Sequence, residues 1–353
     1  MADSTKTAGS VAPAQGRSIR PEFTGAAGEY FRIWIVNLFF TLITFGIYSA
    51  WAKVRKKRYF YGSTRLDGDS FDYFANPKAI LKGRIAAGAV FLTYAFAAEL
   101  HPASRYGFWA LALLLLPWLI VRALSFNARN SAWRGVRFDF TATAREAAWV
   151  YIGKLAVVVV TLGIGFPWFM ARQKAFVVSH HALGTTPFEC EMSGRALFSI
   201  YFLSGLIVSA IGIPAGMLSA FVLPRISLMQ SLSWLGWALP ALALYAGYAV
   251  AYAYVQARTT NLLWKGTSGP GMRFESSLAA TRLVGLYLSN ILAVACSAGL
   301  LIPWAVIRTL RYRLQSLTVI IEEEMEHQAN LALAPVGATG QELGDMFNLD
   351  LGL

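Results

Sequence analysis

The stretch Phe45-Gly-Ile-Tyr-Ser-Ala-Trp-Ala-Lys-Val-Arg55 decides how the chain is read, because its frame returns twice more. Gly46, Trp51 and Arg55 are matched by Gly163, Trp168 and Arg172, and again by Gly299, Trp304 and Arg308. In each copy the Gly stands five residues before the Trp and the Arg four after it. Nine residues before each Gly a polar side chain interrupts an apolar run: Asn37, Lys154 and Asn290. The frame widens to an aromatic residue, an Arg four later and a Phe sixteen beyond that. It occurs as Trp51/Arg55/Phe71, Trp118/Arg122/Phe138, Trp168/Arg172/Phe188 and Tyr254/Arg258/Phe274. The last copy, Trp304/Arg308, carries Glu324 in place of the Phe, and Phe23 supplies an unmatched second half. Equal spacing of this kind points to internal duplication. It divides 23–321 into five modules, 23–70, 71–137, 138–187, 188–273 and 274–321, between an N-terminal tail, 1–22, and a C-terminal tail, 322–353.

Working outward, the chain is too apolar for a soluble domain: 56% of its 353 residues are hydrophobic, 14% are charged and the mean hydropathy is +0.48. Apolar runs cover 33–52, 85–100, 106–121, 155–171, 196–223, 226–257 and 283–307. The longest reach the roughly 20 residues needed to cross about 30 Å of hydrocarbon. Runs of this length without alternation are helices rather than barrel strands. The expected fold is therefore a polytopic α-helical membrane protein of about seven hydrophobic helical segments in tandem repeats. Residues 1–22 are small, polar and lack an apolar signal-peptide core, so they read as a disordered tail. Cys190 and Cys296 lie too far apart in sequence to suggest a disulfide framework or a zinc site.

Between successive apolar hairpins lie short stretches rich in aromatic residues and turn formers. Asp67-Gly68 is flanked by Tyr61 and Phe71, and Trp133-Arg-Gly-Val-Arg-Phe-Asp-Phe140, Leu183-Gly-Thr-Thr-Pro-Phe-Glu-Cys190 and Trp264-Lys-Gly-Thr-Ser-Gly-Pro-Gly-Met-Arg-Phe274 follow the same plan. Each reads as a β-hairpin. From Glu322 onward the chain has seven acidic residues and no Lys or Arg, leaving 31 basic against 12 acidic side chains in the rest. Basic residues flanking apolar spans follow the positive-inside rule, and this excess marks the cytoplasmic side rather than a nucleic-acid partner. Two topologies fit. Seven crossings divide the β-hairpins between both faces. Re-entry of the three Gly-Trp-Arg segments places every β-hairpin in the cytoplasm and leaves only Arg105 and Arg225 outside, which the charge rule favours.

The stretch Glu29-Tyr-Phe-Arg-Ile-Trp-Ile-Val-Asn37, with Phe45 to Arg55, Arg58 to Gly68 and Phe71-Asp-Tyr73, resembles the YjgN-like family of bacterial inner-membrane proteins. That family is built on a domain of unknown function. The resemblance implies a multi-pass location in the bacterial inner membrane, and it brings no chemistry and no catalytic residues.

Asn37, Lys154 and Asn290 stand at matching positions. Polar groups at membrane depth turn toward a bundle interior or a wet cavity, so the three form a candidate polar membrane site. The dull counterpart is interhelical hydrogen bonding, with Lys154 snorkelling to the interface. The Trp and Arg of each frame mark the membrane boundary or grip lipid headgroups, and Arg55, Lys56, Lys57 and Arg58 form a cluster suited to anionic lipid. His180, His181, Glu189, Cys190 and Glu191 make a poor metal site, because adjacent His side chains on a strand point apart. No nucleophile with its base and no catalytic carboxylate pair appears, so neither an enzyme nor a bound cofactor is expected. Two functions remain. One is a transporter or channel-like protein for a solute; the other is a non-catalytic scaffold that binds lipid, or a protein partner through its β-hairpins or acidic tail. Single cysteines at Thr64, Ser131, Thr185 and Thr267 are expected to label from the cytoplasm, and those at Ser104 and Ser227 from outside. Labelling of Thr185 and Thr267 from outside would restore seven crossings.

Overall fold

The computed structural model describes residues 17–226, 234–269 and 271–321. Its organising feature is a set of short strands. β1 (Arg17–Ile19), β2 (Glu22–Phe23), β3 (Thr64–Leu66), β4 (Asp69–Tyr73), β5 (Ser131–Trp133), β6 (Val136–Phe140), β7 (His181–Leu183) and β8 (Thr186–Pro187) come first. They are followed by β9 (Glu189–Cys190), β10 (Thr267–Gly269), β11 (Met272–Ser276) and β12 (Leu317–Ile321). One antiparallel sheet runs β2-β3-β4-β5-β6-β7-β8 and the other β1-β12-β11-β10-β9. β8 and β9 are separated by Phe188 alone, and β1 and β2 by Arg20-Pro21. Each pair is one strand broken at a kink that passes it from one sheet to the other. The twelve segments thus complete a circuit of ten strands, a small barrel.

Side chains from both sheets fill the barrel. Leu66, Trp133, Val136, Leu183, Met272 and Val319 pack together with Ile19, Phe71, Phe138, Phe188 and Phe274 around them. The recurrent Phe of the sequence frame is therefore a barrel-core residue. Phe188 bridges the two sheets, its ring centroid 6.5 Å from that of Phe138 and 6.3 Å from that of Phe274. Asp67-Gly68 and Arg134-Gly135 have positive φ at both residues, the turn geometry that matches the twist of a two-residue hairpin. Arg134 ties these two turns together, bonding Asp67 at 2.8 Å and Asp69 at 2.5 Å.

Five helical hairpins leave this barrel. Each is flanked by two strands that pair with one another: β2 with β3, β4 with β5, β6 with β7, β9 with β10 and β11 with β12. Both ends of every hairpin therefore sit on one rim. The first hairpin is Ala27–Ile43 with Ser49–Ser63, and the second Pro77–Leu100 with Ser104–Arg129. The third runs 144–160, with a π-helical turn at Trp149–Gly153, and returns along Phe166–Ser179. The fourth is Gly194–Met217, prolonged by the π-helical turn Leu218–Val222, with Leu235–Lys265. The fifth is Ala280–Cys296 with Ile302–Gln315. The second leg of each hairpin packs on the first leg of the next, and the fifth packs back on the first, so the helices form a ring. The extensively packed helix pairs are all neighbours around it. Buried clusters fill the junctions at the rim, such as Val54 with Ile80 and Phe126, and Leu197 with Val178 and Leu263.

Two expectations need restating. The count of about seven hydrophobic helical segments is not confirmed: among the described residues four helices are long and apolar enough to cross a membrane, Pro77–Leu100, Ser104–Arg129, Gly194–Val222 and Gly236–Lys265. The three Gly-Trp-Arg segments are each broken into two shorter legs, because a hairpin whose ends share one rim must reverse. Part of the stretch 1–22, expected to be a disordered tail, is ordered: Arg17–Ile19 pairs with β12 and Glu22–Phe23 with β3. Backbone pairing outweighs its polar composition there. Residues 1–16, the acidic tail and Ser227 lie outside the described residues. Ser131 and Thr267 are buried, so the exposed Arg137 and Arg273 on the same hairpins are the better labelling positions. Trp133 is 2% exposed at the barrel centre. Trp133→Ala is expected to cost about 3–5 kcal/mol, read as a lower unfolding midpoint of the purified protein. A midpoint within a degree of the parent's would refute a packed barrel.

Candidate functional site

The three short hairpins reverse by the same turn. Phe45 and Gly46 have φ of +49° and +89°, Leu162 and Gly163 +50° and +92°, and Ala298 and Gly299 +48° and +90°. A Cβ is strained at such a φ, which is why Gly recurs there. The Gly N–H closes on a carbonyl five residues back: Thr41 at 2.8 Å, Val158 at 2.7 Å and Val294 at 2.9 Å. Two residues before each Gly stands a hydroxyl that the sequence reading overlooked: Thr44, Thr161 or Ser297. Each donates to the helix it ends and accepts an N–H from the helix about to start, from Tyr48 (2.9 Å), Gly165 (2.9 Å) or Leu301 (3.0 Å). A tight reversal among apolar side chains must satisfy its backbone internally, and this hydroxyl does so at both ends. Its fixed distance from the Gly was a visible signal.

Asn37, Lys154 and Asn290 each tie the two legs of their own hairpin. Asn37 Nδ2 donates to the carbonyl of Ala52 at 3.4 Å, and Asn290 Nδ2 to that of Ala305 at 3.3 Å, both fifteen residues ahead. Asn290 also donates to Thr309 Oγ1 (3.0 Å) and accepts from Arg308 Nη1 (3.1 Å), which reaches Ser289 Oγ at 2.6 Å. Asn37 Oδ1, by contrast, is buried with no hydrogen-bond partner. Lys154 lies over the Trp168 ring, 5.5 Å from its centroid. No hydrogen bond joins any of the three to another; each contacts the return leg of its own hairpin.

The aromatic-x3-Arg frame also acquires a reason. One helical turn stacks the Arg over its own aromatic: Arg122 on Trp118 (5.2 Å), Arg172 on Trp168 (5.8 Å), Arg258 on Tyr254 (5.8 Å) and Arg308 on Trp304 (5.0 Å). The first module departs from this: Trp51 stacks on Tyr48 at 6.2 Å, and Arg55 is exposed beside Lys56. Each of these Arg side chains stands seven residues before the barrel end of its second leg, which puts Trp168 and Trp304 near the tips of the short hairpins, and Lys78, Lys82, Arg195 and Arg282 add charge near the barrel from the first legs. Within the described helices the acidic residues are Glu29, Glu99 and Glu146, and Glu146 is used in a capping box with Thr143. The result is a cationic, aromatic collar between barrel and hairpins.

His180 and His181 turn Nδ1 to the carbonyls of Phe176 (2.8 Å) and Val177 (2.7 Å). Burial pushes the His181 imidazole below its ordinary pKa and the Cys190 thiol above its own. Among the described residues no group of three or more His, Cys, Asp or Glu side chains is placed to hold a metal.

Long apolar hairpins standing on a barrel and a basic collar define a multi-pass bacterial inner-membrane protein. The chain belongs to the family described as bacterial protein of unknown function (DUF898), whose model matches residues 18–346. It is similar to inner membrane protein YjgN of Salmonella typhimurium, 30% identical over 198 residues, 55% of this chain and 45% of that protein. It is likewise similar to inner membrane protein YjgN of Escherichia coli K12, 28% identical over 157 residues, 43% of this chain and 38% of that one. The chain thus matches less than half the length of these relatives. No solved structure matches it.

Asn290→Leu is expected to cost about 1–3 kcal/mol, because it strands Arg308 and removes three bonds. Asn37→Leu should cost under about 1 kcal/mol, since it also removes an unpaired buried oxygen. Heat unfolding of the two purified variants checks the order, and equal losses would contradict it.

Proposed function

We propose that this protein is a non-catalytic membrane module that anchors a cytoplasmic β-barrel by gripping anionic lipid headgroups with its collar. The observation that carries the proposal is the charge pattern of the helices: Lys and Arg crowd the barrel-side turns, and the acids are Glu29, Glu99 and Glu146. Such a collar attracts anionic headgroups at about 1 kcal/mol per cation near the surface. Aromatic partners hold the Arg side chains at interfacial depth. The positive-inside rule then puts the barrel in the cytoplasm and the hairpin tips, with Arg105 and Arg225, toward the other face. The second and fourth hairpins span. The legs of the other three, 14–17 residues or roughly 21–26 Å, dip in and return. We read the five strand–hairpin–strand units as copies of one module, a view supported by the equal spacing of their frames.

A transporter or channel-like activity is the second reading, supported by the ring of helices whose extensively packed pairs are all neighbours. The aromatic filling of the barrel weighs against a path along its axis. The test is reconstitution of the full chain in nanodiscs with and without phosphatidylglycerol in a phosphatidylcholine background. Phosphatidylglycerol is expected to raise the unfolding midpoint by several degrees. The gain should shrink in 0.5 M salt, where the Debye length falls to a few ångströms, and in Arg55→Gln/Lys56→Gln. An unfolding midpoint indifferent to lipid charge refutes the proposal, and solute flux through proteoliposomes would favour the second reading.

A further inference from the structure

A cleft of about 550 Å³ opens where the fourth hairpin leaves the barrel. Its walls are the first turns of one spanning leg, with Ala196 and Ser199, the last turns of the other, with Tyr254, Arg258, Asn261 and Lys265, and the end of β11, with Glu275 and Ser276. It therefore sits at the depth where a spanning helix passes from hydrocarbon into water.

We infer that this cleft holds the phosphodiester headgroup of one membrane phospholipid, and that it is the specific binding site within the collar proposed above, on which the inference rests. Arg258 and Lys265, seven residues and so two turns apart on one helix, line the same wall and supply two positive charges. Arg258 is steadied on Tyr254. The opposite wall is the start of a 24-residue helix, whose dipole favours an anion near Ala196. Asn261 does not compete for the ligand: its Oδ1 accepts from Ser276 Oγ (2.7 Å) and the Leu278 N–H (2.9 Å), and its Nδ2 donates to the Leu278 carbonyl (3.0 Å). That network fixes the floor of the cleft.

Glu275 makes the cleft selective. Two cations and one carboxylate suit a singly charged phosphodiester whose far end donates hydrogen bonds, such as a glycerol hydroxyl, to the carboxylate. A phosphate monoester, with more negative charge and no donor beyond the phosphate, is repelled there. The way out for acyl chains is also present: Leu203 and Leu206, 43% and 49% exposed, continue from Ser199 along the same helix toward the tip. An aqueous site for a free phosphate would not need this apolar track.

The test uses the full chain purified in a non-ionic detergent and titrated with phosphatidylglycerol, with retained lipid counted by native mass spectrometry. One tightly retained lipid is expected in the parent. Arg258→Gln, Lys265→Gln and Ser199→Trp, which fills the cleft from an exposed position, should each reduce retention at least tenfold. Arg258→Lys should keep it within about threefold, and Arg55→Gln/Lys56→Gln, outside the cleft, should leave this one lipid in place. Unfolding midpoints of the same samples show that each variant is folded. Retention unchanged in Arg258→Gln, Lys265→Gln and Ser199→Trp overturns the cleft and leaves the collar standing on its own lipid-charge dependence. Glycerol 3-phosphate or inorganic phosphate displacing the lipid at millimolar concentration overturns the lipid assignment in favour of a soluble phosphate compound. A parent that retains no phosphatidylglycerol and is not stabilised by it overturns cleft and collar together.

Discussion

Everything in this molecule hangs on the antiparallel pairing of the two strands that flank each helical hairpin. Once β2 bonds β3, β4 bonds β5, β6 bonds β7, β9 bonds β10 and β11 bonds β12, a hairpin can only leave and re-enter at the same rim. That constraint puts every hairpin at one end of the barrel and every β-turn at the other. It also forbids a single crossing between two strands, whatever the hydropathy of the intervening segment. Short strands gain their stability here from closure, because a circuit has no edge left to pair with another chain. The two kinks, at Arg20-Pro21 and at Phe188, are where closure is achieved, and Pro suits a kink because it has no N–H to offer a ladder.

The same constraint explains the economy of the short hairpins. A chain that turns back at an apolar tip has to bond its own backbone groups, and one left-handed Gly with one hydroxyl two residues earlier does this three times over. Below the turn the legs need a tie, supplied by Asn37, Lys154 or Asn290. Asn290 belongs to a fuller network through Arg308, whereas in the first hairpin the matching Arg55 stays exposed. In the first module Arg55 and Lys56 are exposed side by side. One frame thus serves as a structural clasp in one copy and leaves its Arg on the surface in another.

At the rim, buried junction clusters and the basic collar share the same helical turns on different faces. Apolar side chains such as Val54, Leu197 and Leu283 turn toward neighbouring hairpins, while long cations reach outward with their stems covering apolar surface. The cleft of the fourth hairpin is the place where this surface becomes concave, bounded by two spanning legs and a strand.

The sequence by itself determined the membrane class, the five-fold frame, the β-hairpins and the glycine turns. These rest on local chemistry: long apolar runs, turn residues and i to i+4 spacing on a helix. Alternation of short and long hairpins was also legible as one of two topologies, through the distribution of Lys and Arg. Only the tertiary structure shows that both ends of every hairpin share one rim, because strand pairing joins residues up to about 300 positions apart, as Arg17 with Ile321, and no local pattern encodes a ring. For the same reason the frame Phe, which in sequence only marked where a module opens, became a barrel-core residue, and Arg17–Ile19 became a strand. The three repeat polar residues looked like one site in sequence because they are equivalent. In space each is engaged within its own hairpin, Asn37 and Asn290 with backbone of the return leg and Lys154 with Trp168. The cleft at Arg258 was invisible in the linear chain, since its walls come from a helix start, a helix end and a strand that meet only when the barrel closes.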